Sequence, residues 1–253
     1  MLKLQHLTAG YGEKTILHDI SLDFPPGTVT AILGPNGCGK STLLKAAAGL
    51  LAPVSGQVLS EEPRARHIAY LPQSRRVPEM TALRLVLHGR FPWLGWPRRY
   101  RQEDEAIARA AMARLGVLEF ADRPLPELSG GTRQKCYLAM ALAQEADTLL
   151  LDEPTSFLDI GHQLRLMGLC RELAAEGRAV TVVLHALPLA LGYADRIALL
   201  EGGRLLALGT PGEILDSGIL DRVFGVRVLS LDTDAGRQYV CVADKSEACR
   251  GGS

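Results

Sequence analysis

The chain has 253 residues, 47% hydrophobic and 22% charged, and its 28 Lys plus Arg balance 28 Asp plus Glu. That length supports one large interior or a core with a smaller subdomain, and zero formal charge argues against the strongly basic footprint of most nucleic-acid binders. Five scattered cysteines (Cys38, Cys136, Cys170, Cys241 and Cys249) show no zinc spacing, and in a chain this long they fit a reducing compartment better than a disulfide scaffold.

Residues 1–6 carry no apolar signal core. From Leu2 to about Gly34, short apolar runs alternate with turn signals at Ala9-Gly10-Tyr11-Gly12 and Pro25-Pro26-Gly27, which predicts a small set of strands. They lead into Val29-Thr30-Ala31-Ile32-Leu33, a continuous apolar run of the kind a doubly covered strand needs. A helix is expected over residues 40–50, then strands over 56–59 and 67–71. Between about Pro78 and Glu145 the pattern is helical. Glu103-Asp104-Glu105 opens a segment with Ile107, Ala110, Ala111 and Leu115 near helical spacing, Arg114 closes it and Gly116 stops it.

After Thr148 strands and helices alternate. Residues 149–151 and 180–184 read as buried strands, and 197–201 with 204–208 as a hairpin turning on Gly202-Gly203. Residues 226–229 and 239–242 are candidate strands around Asp234-Ala235-Gly236, and residues 245–253 read as a loose tail. The most apolar stretch, 179–200, is broken by His185, Pro188, Asp195 and Arg196, so no membrane-spanning helix is expected.

Three motifs carry chemistry. Gly34-Pro35-Asn36-Gly37-Cys38-Gly39-Lys40-Ser41 is a full GxxxxGK[ST] pattern between a buried strand and a helix. The glycines let the backbone wrap a phosphate with its N–H groups inward, and the helix start adds about half a positive charge. Lys40 then reaches the β- and γ-phosphates and the Ser41 hydroxyl ligates Mg²⁺. In Leu149-Leu150-Leu151-Asp152-Glu153 an apolar strand ends in two carboxylates, suited to holding a metal and activating water. Alone, the pair reads as an acidic turn; beside a phosphate loop it reads as chemistry. Leu128-Ser129-Gly130-Gly131-Thr132-Arg133-Gln134 opens a helical run, and such a start offers N–H groups to a second anion. The plainer reading is a Ser cap followed by flexible glycines.

This set of motifs, in this order, resembles the ABC ATPase family over nearly the whole chain. The resemblance implies an α/β fold, a single ABC ATPase domain over residues 1–253. Its P-loop NTPase (RecA-like) core with an antiparallel β subdomain takes residues 1–76 and 147–216. An inserted α-helical subdomain with the signature motif takes 77–146, and a C-terminal extension 217–253. ATP and Mg²⁺ are the implied cofactors. Tyr11 would stack on adenine, and Gly34, Pro35, Asn36, Gly37, Cys38, Gly39, Lys40, Ser41 and Thr42 would cradle the phosphates. Ser41, Gln73 and Asp152 are the implied metal-side residues, and Glu153, His185, Gln73 and Lys40 the implied catalytic set. Ser129, Gly130 and Gly131 of a second copy would close over the γ-phosphate, making a head-to-tail homodimer with Ser156-Phe157-Leu158-Asp159 at its interface.

Two departures stand out. The family commonly carries Asp after the histidine, whereas Ala186 and then Pro188 follow His185 here, so the imidazole is expected to be held differently. Cys38 occupies a position where Ala or Ser is common, and a bulky thiol reagent there is expected to block nucleotide binding. Finer likenesses lie in His88-Gly89-Arg90-Phe91-Pro92 and in Thr155-Ser156-Phe157-Leu158-Asp159-Ile160-Gly161-His162-Gln163. These resemble the importer motors for iron chelates (siderophore first, haem next), cobalamin or molybdate; a soluble regulatory ABC switch is the more distant alternative. The implied partners are transmembrane permease subunits and, indirectly, a substrate-binding protein, with no nucleic acid. The implied location is peripheral, on the cytoplasmic face of the cell (inner) membrane. Arg75-Arg76 and the aromatic, basic run from Trp93 through Trp96 to Arg98-Arg99 would lie near the permease, with Trp93 and Trp96 either forming its groove or simply packing.

Overall fold

A computed structural model describes residues 1–73, 77–156, 158–234 and 236–243. Expectations placed on Arg75, Arg76, Phe157, Ala235, Cys249 and the 245–253 tail lie outside the described residues.

Strands β1 (Leu2–Tyr11), β2 (Lys14–Phe24) and β3 (Thr28–Leu33) lead into helix α1 (Lys40–Ala47). Next come β4 (Ser55–Leu59), the single turn α2 (Arg64–His67) and β5 (Ile68–Leu71). The helical stretch holds α3 (Ala82–Leu87), α4 (Gln102–Arg114) and α5 (Gly130–Ala143). Alternation resumes with β6 (Thr148–Leu151), α6 (Ile160–Ala175), β7 (Ala179–Val183), α7 (Leu187–Tyr193), β8 (Arg196–Glu201) and β9 (Arg204–Gly209). Two short helices, α8 (Pro211–Asp216) and α9 (Ile219–Phe224), precede the ribbon β10 (Val226–Thr233) and β11 (Gly236–Ala243).

The central sheet has the order β5-β6-β7-β3-β8-β9. Its first five strands are parallel, and β9 returns antiparallel to β8. Period-2 side-chain alternation explains why these strands read as unbroken apolar runs: both faces are covered. Ala31, Leu33, Leu149, Leu151, Val182 and Leu199 face one core, which α4 to α7 help to build. Ile32, Leu150, Val183, Ala198 and Leu200 face another, shared with α1 and the antiparallel sheet β2-β1-β4. Each such leucine, fully buried, contributes about 1.5–3 kcal/mol. Arg196 grips both Asp23 carboxylate oxygens at 3.1 and 3.3 Å, tying the small sheet to the large one, and this contact holds the Asp23 carboxyl below its usual range.

The β8–β9 hairpin forms as expected. Gly202 and Gly203 both take positive φ, 53° and 75°, which the two-residue turn demands; a Cβ on Gly203 would also collide with the Ile16 carbonyl. Helix α4 ends as expected too, with Gly116 at φ 65° just beyond it. Three boundaries differ from the reading of the sequence. Strand β1 continues through Ala9, Gly10 and Tyr11, because Gly10 and Tyr11 pair with Thr15 and Lys14 and the turn comes only after them. Helix α1 stops at Ala47 rather than residue 50, since Gly49 turns to φ 76°. His67 ends α2 rather than opening β5, and its Nδ1 lies 2.7 Å from Asp147 Oδ2.

Four neighbouring strands, β5, β6, β7 and β3, are parallel, so their C-terminal ends share one edge of the sheet. Crevices outside such ends are where open α/β sheets bind ligands. That edge receives Gln73, Asp152 with Glu153, His185, and the loop before α1.

Candidate functional site

A cavity of about 600 Å³ opens at this edge. Its floor is the turn from β3 into α1, with Asn36, Gly37, Gly39, Lys40, Ser41 and Thr42 exposed to it. Tyr11, Ile16, Gln73, Glu153 and His185 complete the lining. Gly34 has φ 150°, and a Cβ there would strike the Leu200 carbonyl and the Cys38 sulfur, so only glycine lets the loop lie this close to β8. Gly34, Pro35 and Cys38 sit beneath the lining and act through the loop itself.

Lys40 is 6% exposed, and its ammonium donates to the carbonyls of Gly34 at 2.7 Å and Pro35 at 2.8 Å. An ammonium has three donors, so one remains for an anion in the cavity. A nearly buried cation whose partners among the described residues are neutral carbonyls favours such a ligand. The exposed Tyr11 ring has Lys45 Nζ 5.8 Å from its centroid and 3.5 Å from its hydroxyl, leaving a flat aromatic face at the rim of the cavity.

Two carboxylates stand side by side at the end of β6, each held differently. Asp152 is 1% exposed; it accepts from Ser41 Oγ at 3.1 Å through Oδ1 and from the Tyr70 hydroxyl at 3.3 Å through Oδ2. Burial pushes its pKa up, while those two bonds and the Lys45 charge pull it down. Glu153 has φ 50°, an uncommon backbone for a non-glycine residue and of the kind found at functional sites. Gln73 Nε2 donates to Glu153 Oε2 at 2.6 Å, and His185 Nε2 lies 2.6 Å from Oε1. Three residues separated by up to 112 positions therefore meet on one carboxylate.

Ser129 caps α5 by accepting from the Thr132 amide at 3.2 Å. Ser129 and Gly130 are exposed, and neither they nor Gly131 line the cavity of their own chain. Ala186 is the N-cap of α7 and offers it no side-chain bond. Pro188 sits at the second helical position, where its missing N–H leaves one donor fewer to satisfy. The bond from His185 runs to Glu153, not to any neighbour in sequence.

One expectation is corrected. The Cys38 side chain is 7% exposed and belongs to the apolar cluster with Leu200 and Val183, and burial pushes its thiol pKa up. It faces the core rather than the cavity, so a reagent from solvent does not meet it there. Trp93 and Trp96 differ in their surroundings. The Trp93 indole donates to the Gln144 carbonyl at 2.8 Å and lies between the Arg66 and Arg90 guanidinium groups, 5.1 and 5.5 Å from its ring. Trp96 is 94% exposed.

Sequence reasoning overlooked Tyr70 and Ile16. Tyr70 is the one aromatic in an otherwise aliphatic strand, a signal that was there to read; Ile16 carries none. The finer motifs turn out to be architecture. Arg90 bonds Asp104, the Ala143 carbonyl and Glu145 at 3.2, 2.9 and 2.6 Å, and Gly89 gives room to the Met140 carbonyl. Asp159 caps α6 and holds His162.

Comparison with known proteins places this geometry. The ABC transporter family matches residues 17–156, more than half of the chain. The petrobactin import ATP-binding protein FpuD of Bacillus anthracis is 41% identical over 88% of this chain and 86% of its own. The ferric enterobactin transport ATP-binding protein FepC of Escherichia coli (strain K12) is 40% identical over 91% and 89%. The hemin import ATP-binding protein HmuV of Streptomyces coelicolor is 45% identical over 84% and 79%. Among solved structures, the dimeric structure of MJ0796, a bacterial ABC transporter cassette, superposes with a TM-score of 0.73 at 28% identity, covering 83% of this chain and 99% of that one.

Proposed function

The chain belongs to the ABC transporter family, and from that premise we propose that it is the ATP-hydrolysing subunit of a membrane importer for an iron chelate. The observation that carries hydrolysis is Glu153, held between Gln73 and His185 at the cavity mouth, one residue from the Asp152–Ser41 pair. The iron-chelate cargo rests on the relatives, whose names place petrobactin, enterobactin and haem import at 40–45% identity. Siderophore is favoured over haem.

The donor set suits Mg²⁺. Ser41 Oγ and Asp152 Oδ1 are hard oxygens 3.1 Å apart, and a site of so few protein ligands leaves positions for phosphate oxygens and water. Mg²⁺ held there, with Gln73 nearby, would offset charge on the β- and γ-phosphate oxygens. Tyr11 stacks on the base, and the amides of the 34–42 segment and α1 hold the phosphates. The free Lys40 donor meets the γ-phosphate, Glu153 takes the proton of the attacking water, and Gln73 orients that water. His185 leaves Glu153 for the γ-phosphate once nucleotide arrives.

Two copies complete the reaction. The Ser129 helix start is exposed and does not line the cavity of its own chain, which fits a head-to-tail pair in which each copy closes the other's site, with Leu158 and Asp159 at the seam. In this reading residues 1–76 and 147–216 form the core, 77–146 the helical subdomain and 217–253 an extension. No helix among the described residues is long and apolar enough to cross a membrane. In line with the import ATP-binding relatives, the subunit would act peripherally at the cytoplasmic face, docked to permease subunits fed by a substrate-binding protein. The exposed Trp96 beside Arg98 and Arg99 is the surface proposed for the permease, since interfaces favour Trp and Arg.

The test is Glu153→Gln. Nucleotide affinity is expected to stay at the wild-type value while steady-state hydrolysis falls about 10²- to 10⁴-fold. Hydrolysis at the wild-type rate would remove the base assignment.

A further inference from the structure

Strand β5 is an edge strand of the central sheet, and its end touches the site three times. The Tyr70 hydroxyl donates to Asp152 Oδ2 at 3.3 Å, the Asp152 amide donates to the Leu71 carbonyl at 2.9 Å, and Gln73 reaches Glu153. Only Gln73 belongs to the functional reading above.

A carboxylate exposed by only 1% needs partners on both oxygens. Ser41 serves Oδ1 at 3.1 Å and Tyr70 serves Oδ2. The terminal torsion of an Asp side chain is soft, so one bond to each oxygen is what sets the plane of the group. Tyrosine suits the position because its ring packs on the apolar cluster beneath α1 while its polar tip reaches the carboxylate.

We propose that Tyr70 is a positioning residue for Asp152: its hydroxyl anchors Oδ2 so that Oδ1 stays aimed at Ser41 and at the divalent cation the pair would hold. This rests on the Mg²⁺–nucleotide reading. It also gives β5 a mechanical meaning. Tyr70 precedes Gln73 by three residues, so a displacement of this edge strand by a docked partner reaches both carboxylates together, Glu153 through Gln73 and Asp152 through Tyr70.

The test is Tyr70→Phe, which keeps the ring and removes the hydroxyl. Affinity for a fluorescent ATP analogue is measured in EDTA and in Mg²⁺, together with the Mg²⁺ concentration that half-saturates hydrolysis. The expected result is unchanged affinity in EDTA, a lowered Tm because Asp152 Oδ2 loses its partner, a weaker gain of nucleotide affinity from Mg²⁺, and half-saturation raised about 10- to 100-fold, as for other groups that orient metal ligands. An unchanged Mg²⁺ dependence in the variant, with or without a lowered Tm, overturns the proposal. Tyr70→Leu extends the test: it is expected to match Phe in Mg²⁺ dependence while differing in Tm. A wild-type chain whose hydrolysis ignores Mg²⁺ would overturn the functional reading as well, so the two failures are distinguishable.

Discussion

Cys38 shows how a single residue can sit inside a binding motif and face away from the ligand. The loop must curl around a phosphate, so alternate side chains point out of the cradle, and this thiol lands between Gly34 and the β8 strand. Thiolate, not thiol, reacts, and burial disfavours the charged form. Native protein treated with a maleimide is therefore expected to label at the exposed Cys241 while Cys38 stays unmodified until the chain is denatured. Peptide mass spectrometry reads this directly, and rapid native labelling of Cys38 would contradict the packing. Cys136 and Cys170, with thiols pushed up to about 11 and about 12 by burial, should behave like Cys38. None of this was legible in the GxxxxGK[ST] pattern, which specifies the backbone path and leaves its intermediate side chains open.

Among the elements, α7 is the informative case. Its N-cap is Ala186, with no side-chain bond, and Pro188 removes the donor at the second helical position. The third, Leu189, already reaches the Ala186 carbonyl at 3.1 Å. A cap introduced by Ala186→Ser has only that amide to satisfy. Its gain is expected at the low end of the usual range, about 0.5 kcal/mol, or a rise in Tm of about 1–2 °C for a chain of this size. Differential scanning calorimetry would show it, and a fall in Tm would mean the new hydroxyl engages His185 instead. The same scale explains what the finer likenesses do in the fold. Gly89, Arg90, Asp159 and His162 hold helices together and cap them, so they record how this group of chains is built.

For the whole molecule, the proposed function has each of two copies complete the other's active site. The Ser129 helix start is displayed at the surface, and among the described residues neither Ser129, Gly130 nor Gly131 lines the cavity of the same chain. Glu153→Gln protein with ATP is expected to elute as a pair by light scattering, and as single chains with ADP. Adding Ser129→Arg should return the ATP sample to single chains without changing the affinity of each chain for nucleotide. Pairing that survives this second change would place the interface elsewhere. Trp96, exposed between α3 and α4, is the residue proposed to meet a different partner, whereas the Trp93 indole, itself part-exposed, is tied to the Gln144 carbonyl.

The phosphate loop, the adjoining carboxylates, the capped start of α5 and most strands could all be read from the amino-acid sequence. Each depends on a few consecutive residues: a glycine pattern, an apolar run, a Ser before a helix. What only the tertiary structure decided is which of these ends meet. Strand order brings β5, β6, β7 and β3 side by side though they lie far apart in the chain, and that order places Gln73 and His185 on Glu153 and Tyr70 on Asp152. Local patterning sets the period and the turns of a strand. The neighbour across which its last side chain makes a hydrogen bond is set by crossovers and by packing on both faces of the sheet, and no window of sequence contains that information.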